Sequence, residues 1–187
     1  MFNKMDPGYT ILVYIVWFLS TYFIVVFLLA LFRNRNRLYD SPELNENKEL
    51  PKVSIVMSAY NEEKKISESI ESLKSIDYPK ELYEVIILND GSVDKTSEIV
   101  KKYADGKHII FVDNEKNKGK AACLNQGISL ARGEFVACMD ADSSVLEDVL
   151  KKTLPYFEDK EIGAVTVSVE VKNANNFLQK IIQIEYI

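Results

Sequence analysis

Cysteine is nearly absent: Cys123 and Cys138 are the only two in 187 residues, they show no CxxC spacing, and no histidine stands near them. That disfavours a zinc site, and both read as reduced, cytosolic core residues, one in a predicted helix and one in a predicted buried strand. Histidine occurs once, as His108 just ahead of the apolar run Ile109-Ile110-Phe111-Val112. A lone histidine at the start of a strand is usually structural or solvated, and no catalytic role is assigned to it. No G-x-G-x-x-G follows the first apolar run of the domain, so nothing lets a dinucleotide pyrophosphate approach a helix N-terminus and a nicotinamide enzyme is disfavoured. Gly119-Lys120 is followed by Ala121 rather than Ser or Thr and lacks the upstream glycine of a P-loop, which sets aside that route to NTP hydrolysis. Basic charge is also thin. The 23 Lys and Arg against 28 Asp and Glu, with no basic tract beyond a short arginine cluster, argue against nucleic acid as a partner.

What is present begins with an apolar run. No charged residue occurs from Thr10 to Phe32, long enough to cross a hydrocarbon core of roughly 30 Å, so residues 10–32 are expected to form a transmembrane helix. A buried core helix is rarely apolar on every face for this length, a cleaved signal peptide has a shorter apolar region, and an interfacial helix needs a polar face. Arg33, Arg35 and Arg37 follow the span while only Lys4, beside Asp6, precedes it. The positive-inside bias therefore predicts a single-pass protein of the cell membrane with its C-terminal domain in the cytoplasm. Residues 33–51 are polar, lack an apolar period and read as a juxtamembrane linker.

Beyond Pro51, apolar runs at Val53–Met57, Val85–Leu88, Ile109–Val112 and Phe135–Met139 alternate with amphipathic stretches, the signature of a parallel α/β sheet. Helical spacing places Ile66, Ile70, Leu73 and Ile76 on one inner face, and Ile99, Val100 and Tyr103 on a second behind an N-cap at Ser92. A third helix, about Lys118 to Ala131, presents Ala121, Leu124 and Ile128. A fourth, about Val145 to Phe157, precedes a strand from Ala164 to Val171 and an amphipathic tail, Asn175 to Ile187, with Phe177, Leu178, Ile181 and Ile182.

The chemistry gathers at the strand ends. Asp140-Ala141-Asp142 follows the fourth apolar run, and in extended backbone residues two apart point to the same side, so both carboxylates can face one divalent ion, Mg²⁺ or Mn²⁺. Alone, the triplet is more often a solvated turn or a helix cap. In an open parallel sheet, however, ligands bind outside the carboxyl ends of the strands where their order reverses. The first strand runs into Ser58-Ala59-Tyr60-Asn61-Glu62-Glu63 and the second into Asn89-Asp90-Gly91-Ser92-Val93-Asp94, so three carboxylate-bearing turns share one edge. Gly119 permits close backbone approach, and Lys120 at a helix N-terminus suits a phosphate.

These residues, in this order, resemble the inverting family-2 glycosyltransferases of the GT-A fold over about Pro51 to Ile187. Tyr60-Asn61-Glu62 is similar to that family's nucleoside loop. Asn89-Asp90-Gly91-Ser92-Val93-Asp94 is similar to its base-binding motif, which more often begins Asp-Asp. Asn117-Lys118-Gly119-Lys120 with Leu124-Asn125-Gln126-Gly127 resembles its Gly-Lys-x-x-x-Leu-Asn segment, and Asp140-Ala141-Asp142 its metal-binding Asp-x-Asp. The membrane helix, Gly163-Ala164-Val165-Thr166 and Lys172-Asn173-Ala174-Asn175-Asn176-Phe177 are similar to membrane synthases of chitin, hyaluronan and poly-N-acetylglucosamine, although Val167 and Glu170 stand where those often carry Gly and a basic residue.

The resemblance implies a GT-A domain over residues 52–187 that binds a UDP-sugar, UDP-GlcNAc favoured, through Ala59, Tyr60, Asn61, Glu62, Asn89, Asp90, Gly91, Lys120, Asp140 and Ala141. Asp142 and Asp140 would hold Mg²⁺ or Mn²⁺, and Lys120 would help neutralise the leaving diphosphate. The acceptor would be a glycan or lipid-linked sugar. Inversion also needs a general base, which the family places downstream of Ile187. The expectation is thus a donor-binding part, truncated at its C-terminal side or completed by a second chain; the alternative is a non-catalytic nucleotide-sugar-binding membrane subunit. A nucleotidyltransferase is weaker, because Ser58 to Glu63 supplies no basic triphosphate loop.

Overall fold

In a computed structural model the protein is described over residues 6–39, 44 and 49–168, with side chains to Arg33 in the first segment. The chain divides into two units, Met1–Pro42 and Glu43–Ile187. Among its described residues the first holds one helix, α1 (Pro7–Tyr39). Its stretch Pro7–Arg33, which holds an 18-residue window of mean hydropathy 2.6, is long and apolar enough to cross a membrane. Within it the Thr21 hydroxyl donates to the Trp17 carbonyl at 2.9 Å, so even this polar side chain is satisfied inside the helix.

The second unit is a parallel sheet of β1 (Val53–Ala59), β2 (Tyr83–Asp90), β3 (Ile109–Asn114) and β4 (Phe135–Asp140), in the order β3-β2-β1-β4. Helices α2 (Ile66–Lys74), α3 (Thr96–Tyr103), α4 (Lys120–Leu130) and α5 (Val149–Thr153) complete the described architecture with two 3-10 turns, Lys80–Leu82 and Leu154–Glu158. Ile66, Ile70, Leu73 and Ile76 are all buried, as their spacing requires. Full burial of each such side chain contributes about 1.5–3 kcal/mol, enough to hold α2, a helix too short to persist alone. β2, flanked by strands and covered on both faces, is buried almost throughout, whereas edge strand β4 alternates half-buried and exposed.

Four sequence-based expectations shift. Cys138 is exposed, because α4 packs on β1 and β2 and leaves the outer face of β4 uncovered among the described residues. The inner face of α4 is Cys123, Leu124 and Gly127, not Ala121, Leu124 and Ile128; a Cβ on Gly127 would lie 2.3 Å from Val56 Cγ1, so the helix approaches the sheet through that glycine and Ile128 turns outward. The helix expected over 145–157 is confined to α5 and then tightens into the 3-10 turn, since Pro155 has no N–H to continue the i to i−4 ladder. Residues 164–168 carry no strand, having no paired neighbour among the described residues, and the expected tail Asn175–Ile187 lies outside them.

The end of the sheet opposite the candidate site is pinned by Ser54. Its fully buried hydroxyl donates to Glu84 Oε1 at 2.8 Å and accepts the backbone N–H groups of Arg132 and Gly133 at 3.1 and 2.8 Å. His108 also sits at this end, its Nδ1 3.1 Å from the Tyr83 carbonyl oxygen and its ring edge-on to Tyr83, a structural role as expected.

Candidate functional site

β1 is central, with β2 on one side and β4 on the other, so the chain reverses direction across the sheet at β1. Parallel registry places Ala59 opposite Asn89 and Ser58 opposite Asp140. The carboxyl ends of β2, β1 and β4 thus bring the three acidic turns to one edge, at the topological switch point.

The turns after β1 and β2 are joined to each other. Asn61 adopts φ 57°, a left-handed conformation that asparagine tolerates better than most residues. From there its N–H donates to Ser92 Oγ and its Oδ1 accepts the Val93 N–H, both at 2.9 Å. The Glu62 N–H donates to Thr96 Oγ1 at 2.8 Å, the Glu63 N–H to Asp94 Oδ2 at 3.1 Å, and the Lys95 N–H to Glu63 Oε2 at 3.2 Å. Tyr60 stands 47% exposed above this seam, with Ala59 buried beneath it. Asp94, which closes the motif likened to a base-binding one, and Thr96, to which the sequence assigns no role, therefore build the seam; the signal that points to Thr96 is the Asp-x-Thr spacing at a helix start, where Asp94 Oδ1 accepts the Thr96 N–H at 2.9 Å. Ser92 is not the cap of α3, which starts at Thr96.

The second junction is Asp90. Only 2% exposed, it accepts the N–H groups of Lys118 and Gly119 on its two carboxylate oxygens, at 2.8 and 3.0 Å. Gly91, at φ 70°, lets this loop settle on the turn: a Cβ there would lie 2.6 Å from the Asn117 nitrogen. Gly119 itself has φ 87° and leads into α4, whose first residue is Lys120. The third junction is Ser69 of α2, whose hydroxyl donates to the carbonyl of buried Ala141 at 2.7 Å and fixes the Asp140-Ala141-Asp142 turn from below.

That triplet differs from its expected geometry. β4 ends at Asp140, and the next residues form a turn closed by the Ser143 N–H to the Asp140 carbonyl at 3.2 Å. Strand alternation therefore does not govern this pair: Asp140 closes the strand and Asp142 lies in the turn. The Lys120 ammonium meets Asp140 Oδ1 at 2.5 Å. Its pKa is raised above the ordinary lysine value by that hydrogen bond, against an opposing desolvation, and further by the charges of Asp140 and Asp142. The chain offers two hard-oxygen ligands here and no group of three metal-ligating side chains among the described residues. Such a pair suits Mg²⁺ or Mn²⁺, which keep waters and take substrate phosphate oxygens as their remaining ligands.

Two aspartates of the scaffold are strongly engaged. Asp94 is held below the usual carboxylate range because the hydrogen bonds from Thr96 and the Glu63 N–H outweigh its desolvation. Asp113 is likewise lowered, its desolvation outweighed by Lys101, Asn89 and Ser97. A depressed folded pKa gives stability that is present above the unfolded value and lost as pH falls through the folded one. Thermal unfolding from pH 7 to pH 5 is expected to show no loss from these groups. Below about pH 4 the midpoint should fall, and by less in Asp94→Asn.

An open parallel sheet with acidic turns at its switch point and a lysine heading the crossover helix to β4 defines a domain of the GT-A type. The model of "Glycosyl transferase family 2" matches residues 54–185, and the chain belongs to that family. A poly-beta-1,6-N-acetyl-D-glucosamine synthase of Staphylococcus aureus is 37% identical over 172 residues, 90% of this chain and 41% of the relative. The chain therefore spans less than half the length of that curated relative. Among solved structures, a mannosyltransferase from Pyrobaculum calidifontis in complex with GDP-Man and Mn²⁺ superposes with TM-score 0.63 at 28% identity, over 81% of this chain and 44% of that one. S. aureus TarS 1-349 in complex with UDP-GlcNAc gives TM-score 0.53 at 29% identity, over 65% of this chain and 38% of that one.

Proposed function

We propose that the domain holds a UDP-sugar, UDP-GlcNAc by preference, across the β1, β2 and β4 ends, as the donor site of a membrane-anchored inverting glycosyltransferase of polysaccharide synthesis. The observation that carries this is the Lys120–Asp140 ion pair at the switch point, with Asp142 in the turn that follows. In this reading the exposed Tyr60 and the Asn61–Glu62 seam lie along the nucleoside, with Asn89, Asp90 and Gly91 forming the wall beneath. Lys120 takes the diphosphate, and Asp140 and Asp142 hold Mg²⁺ or Mn²⁺, which when bound neutralises charge on the leaving group. The donor preference is supported by the poly-GlcNAc synthase relative and the TarS complex with UDP-GlcNAc. Anchoring is supported by the apolar stretch of α1, and a cytoplasmic domain by Arg33, Arg35 and Arg37 behind it. The acceptor is a growing glycan or a lipid-linked sugar.

Calorimetric titration of the detergent-solubilised protein with UDP-GlcNAc, with and without Mn²⁺, tests the site. Binding is expected to tighten at least about tenfold with the ion, and Asp142→Ala should remove the difference, the loss of one charge-assisted ligand being worth some 1.5–3 kcal/mol. Metal-independent binding, or equal affinity in the variant, would refute the metal assignment; tighter binding of GDP-mannose would overturn the donor preference.

A further inference from the structure

Asp113, at the carboxyl end of β3, belongs to none of the motifs above. It faces Asn89 in the strand register, and Asn89 Nδ2 donates to Asp113 Oδ1 at 2.7 Å. The other Asp113 oxygen accepts Ser97 Oγ at 2.7 Å and pairs with Lys101 Nζ at 2.8 Å, both from α3. Asn89 is 2% exposed, and on its other side Oδ1 accepts the Ser92 N–H at 3.2 Å. Ser92 Oγ in turn accepts the Asn61 N–H. A continuous chain of hydrogen bonds therefore runs from Asp113 through Asn89 and Ser92 to the left-handed Asn61.

Position 89 must supply a donor toward Asp113 and an acceptor toward a backbone N–H from one side chain. An amide does both; an ionised carboxylate offers only acceptors. The amide orientation is fixed by chemistry, because the Asp113 carboxylate can only accept and the Ser92 N–H can only donate. We propose that Asp113 is a positioning residue of the donor site: it selects the amide at position 89 and through it sets the 89–92 turn against the 60–63 loop that takes the nucleoside. This deepens the donor-site reading and rests on it for its functional half.

The decisive variant is Asn89→Asp, which places a buried carboxylate against that of Asp113. Two such groups cannot both ionise at that separation, so one proton is retained and its pKa rises. The other charged groups about the pair are Lys101 on α3, which meets Asp113, and Asp90 at the end of β2, whose carboxylate is turned to the Lys118 and Gly119 backbone. A raised folded pKa gives stability that is present at low pH and lost as pH rises through it. Asn89→Asp should therefore unfold at a lower temperature than wild type at pH 8 and approach it at pH 5. Its UDP affinity should fall about tenfold at pH 8 and recover toward pH 5.

The double variant Asn89→Asp/Asp113→Asn inverts donor and acceptor. The new amide donates to Asp at 89, while its oxygen stays available to Ser97 and Lys101. It is expected to recover most of the lost midpoint and of the UDP affinity at pH 8, which a merely destabilising change would not do. The unfolding midpoints are read without ligand and judge the pairing even if the donor is not UDP; the titrations judge the positioning. Asn89→Asp as stable as wild type at pH 8, or a double variant no better than the single one, would overturn the inference.

Discussion

Asp90→Ala is expected to destabilise the domain by about 1–3 kcal/mol, since the Lys118 N–H loses its charge-assisted acceptor and the Gly119 N–H keeps only Asn117 Oδ1, and to reduce UDP binding below detection. Asp90 bridges the end of β2 and the loop that launches Lys120, accepting the Lys118 and Gly119 N–H groups. Water has poor access to a carboxylate that is 2% exposed, so it cannot replace the missing oxygens. Asp90→Asn should be nearly as damaging, because an amide has one oxygen for two donors and turns its NH₂ against the other N–H. Urea unfolding gives the first quantity and calorimetry the second. A well-folded Asp90→Ala protein with unchanged UDP affinity would show that the loop keeps its shape without this bridge.

Gly127→Val should be comparably severe for stability. A Cβ at this position falls 2.3 Å from Val56 Cγ1 and 2.7 Å from Leu88 Cδ1, both fully buried side chains. In an exposed helix, replacing glycine by alanine gains about 1 kcal/mol. Here overpacking, at about 1–3 kcal/mol for the first methyl and more for valine, outweighs that gain and lifts α4 from the sheet. Gly127→Ala combined with Val56→Ala should recover much of the loss, since the new methyl enters the space that Val56 vacates. Midpoints of denaturant unfolding for the two single variants and the pair test this. No recovery in the pair would place the clash elsewhere.

The strands were legible because each is a short apolar run closed by polar turn residues, and Val53, Val85 and Ile109 each begin or lie in a strand of the sheet. The apolar face of α2 was equally plain. The inward face of α4 was not, because Gly127 contributes no apolar signal although it is the point of closest approach. Cys138 was misread as buried since an apolar run does not reveal which strand forms an edge. At the site, sequence motifs brought Asn61, Asp90, Lys120 and Asp140 forward, but the bonds that unite them are non-local. Glu62 to Thr96 and Ser69 to Ala141 span 34 and 72 residues, and no periodicity encodes such partners. The asparagine at 89, which looked like a minor departure from an Asp-Asp pattern, has a partner in Asp113 that only strand registry discloses.

The knot at Ser54 has a consequence for how this gene can tolerate length changes. Because Ser54 grips the backbone at Arg132 and Gly133, and a Cβ on Gly133 would sit 2.5 Å from the Ser54 nitrogen, the start of β4 has no slack. β4 then works as a measuring rod from that grip to Asp140 opposite Ser58. One codon inserted between 134 and 139 would advance the strand by roughly 3.3 Å and turn every side chain to the opposite face. Met139 would then stand where the carboxylate belongs, so this stretch should be among the least permissive of the chain to in-frame insertion.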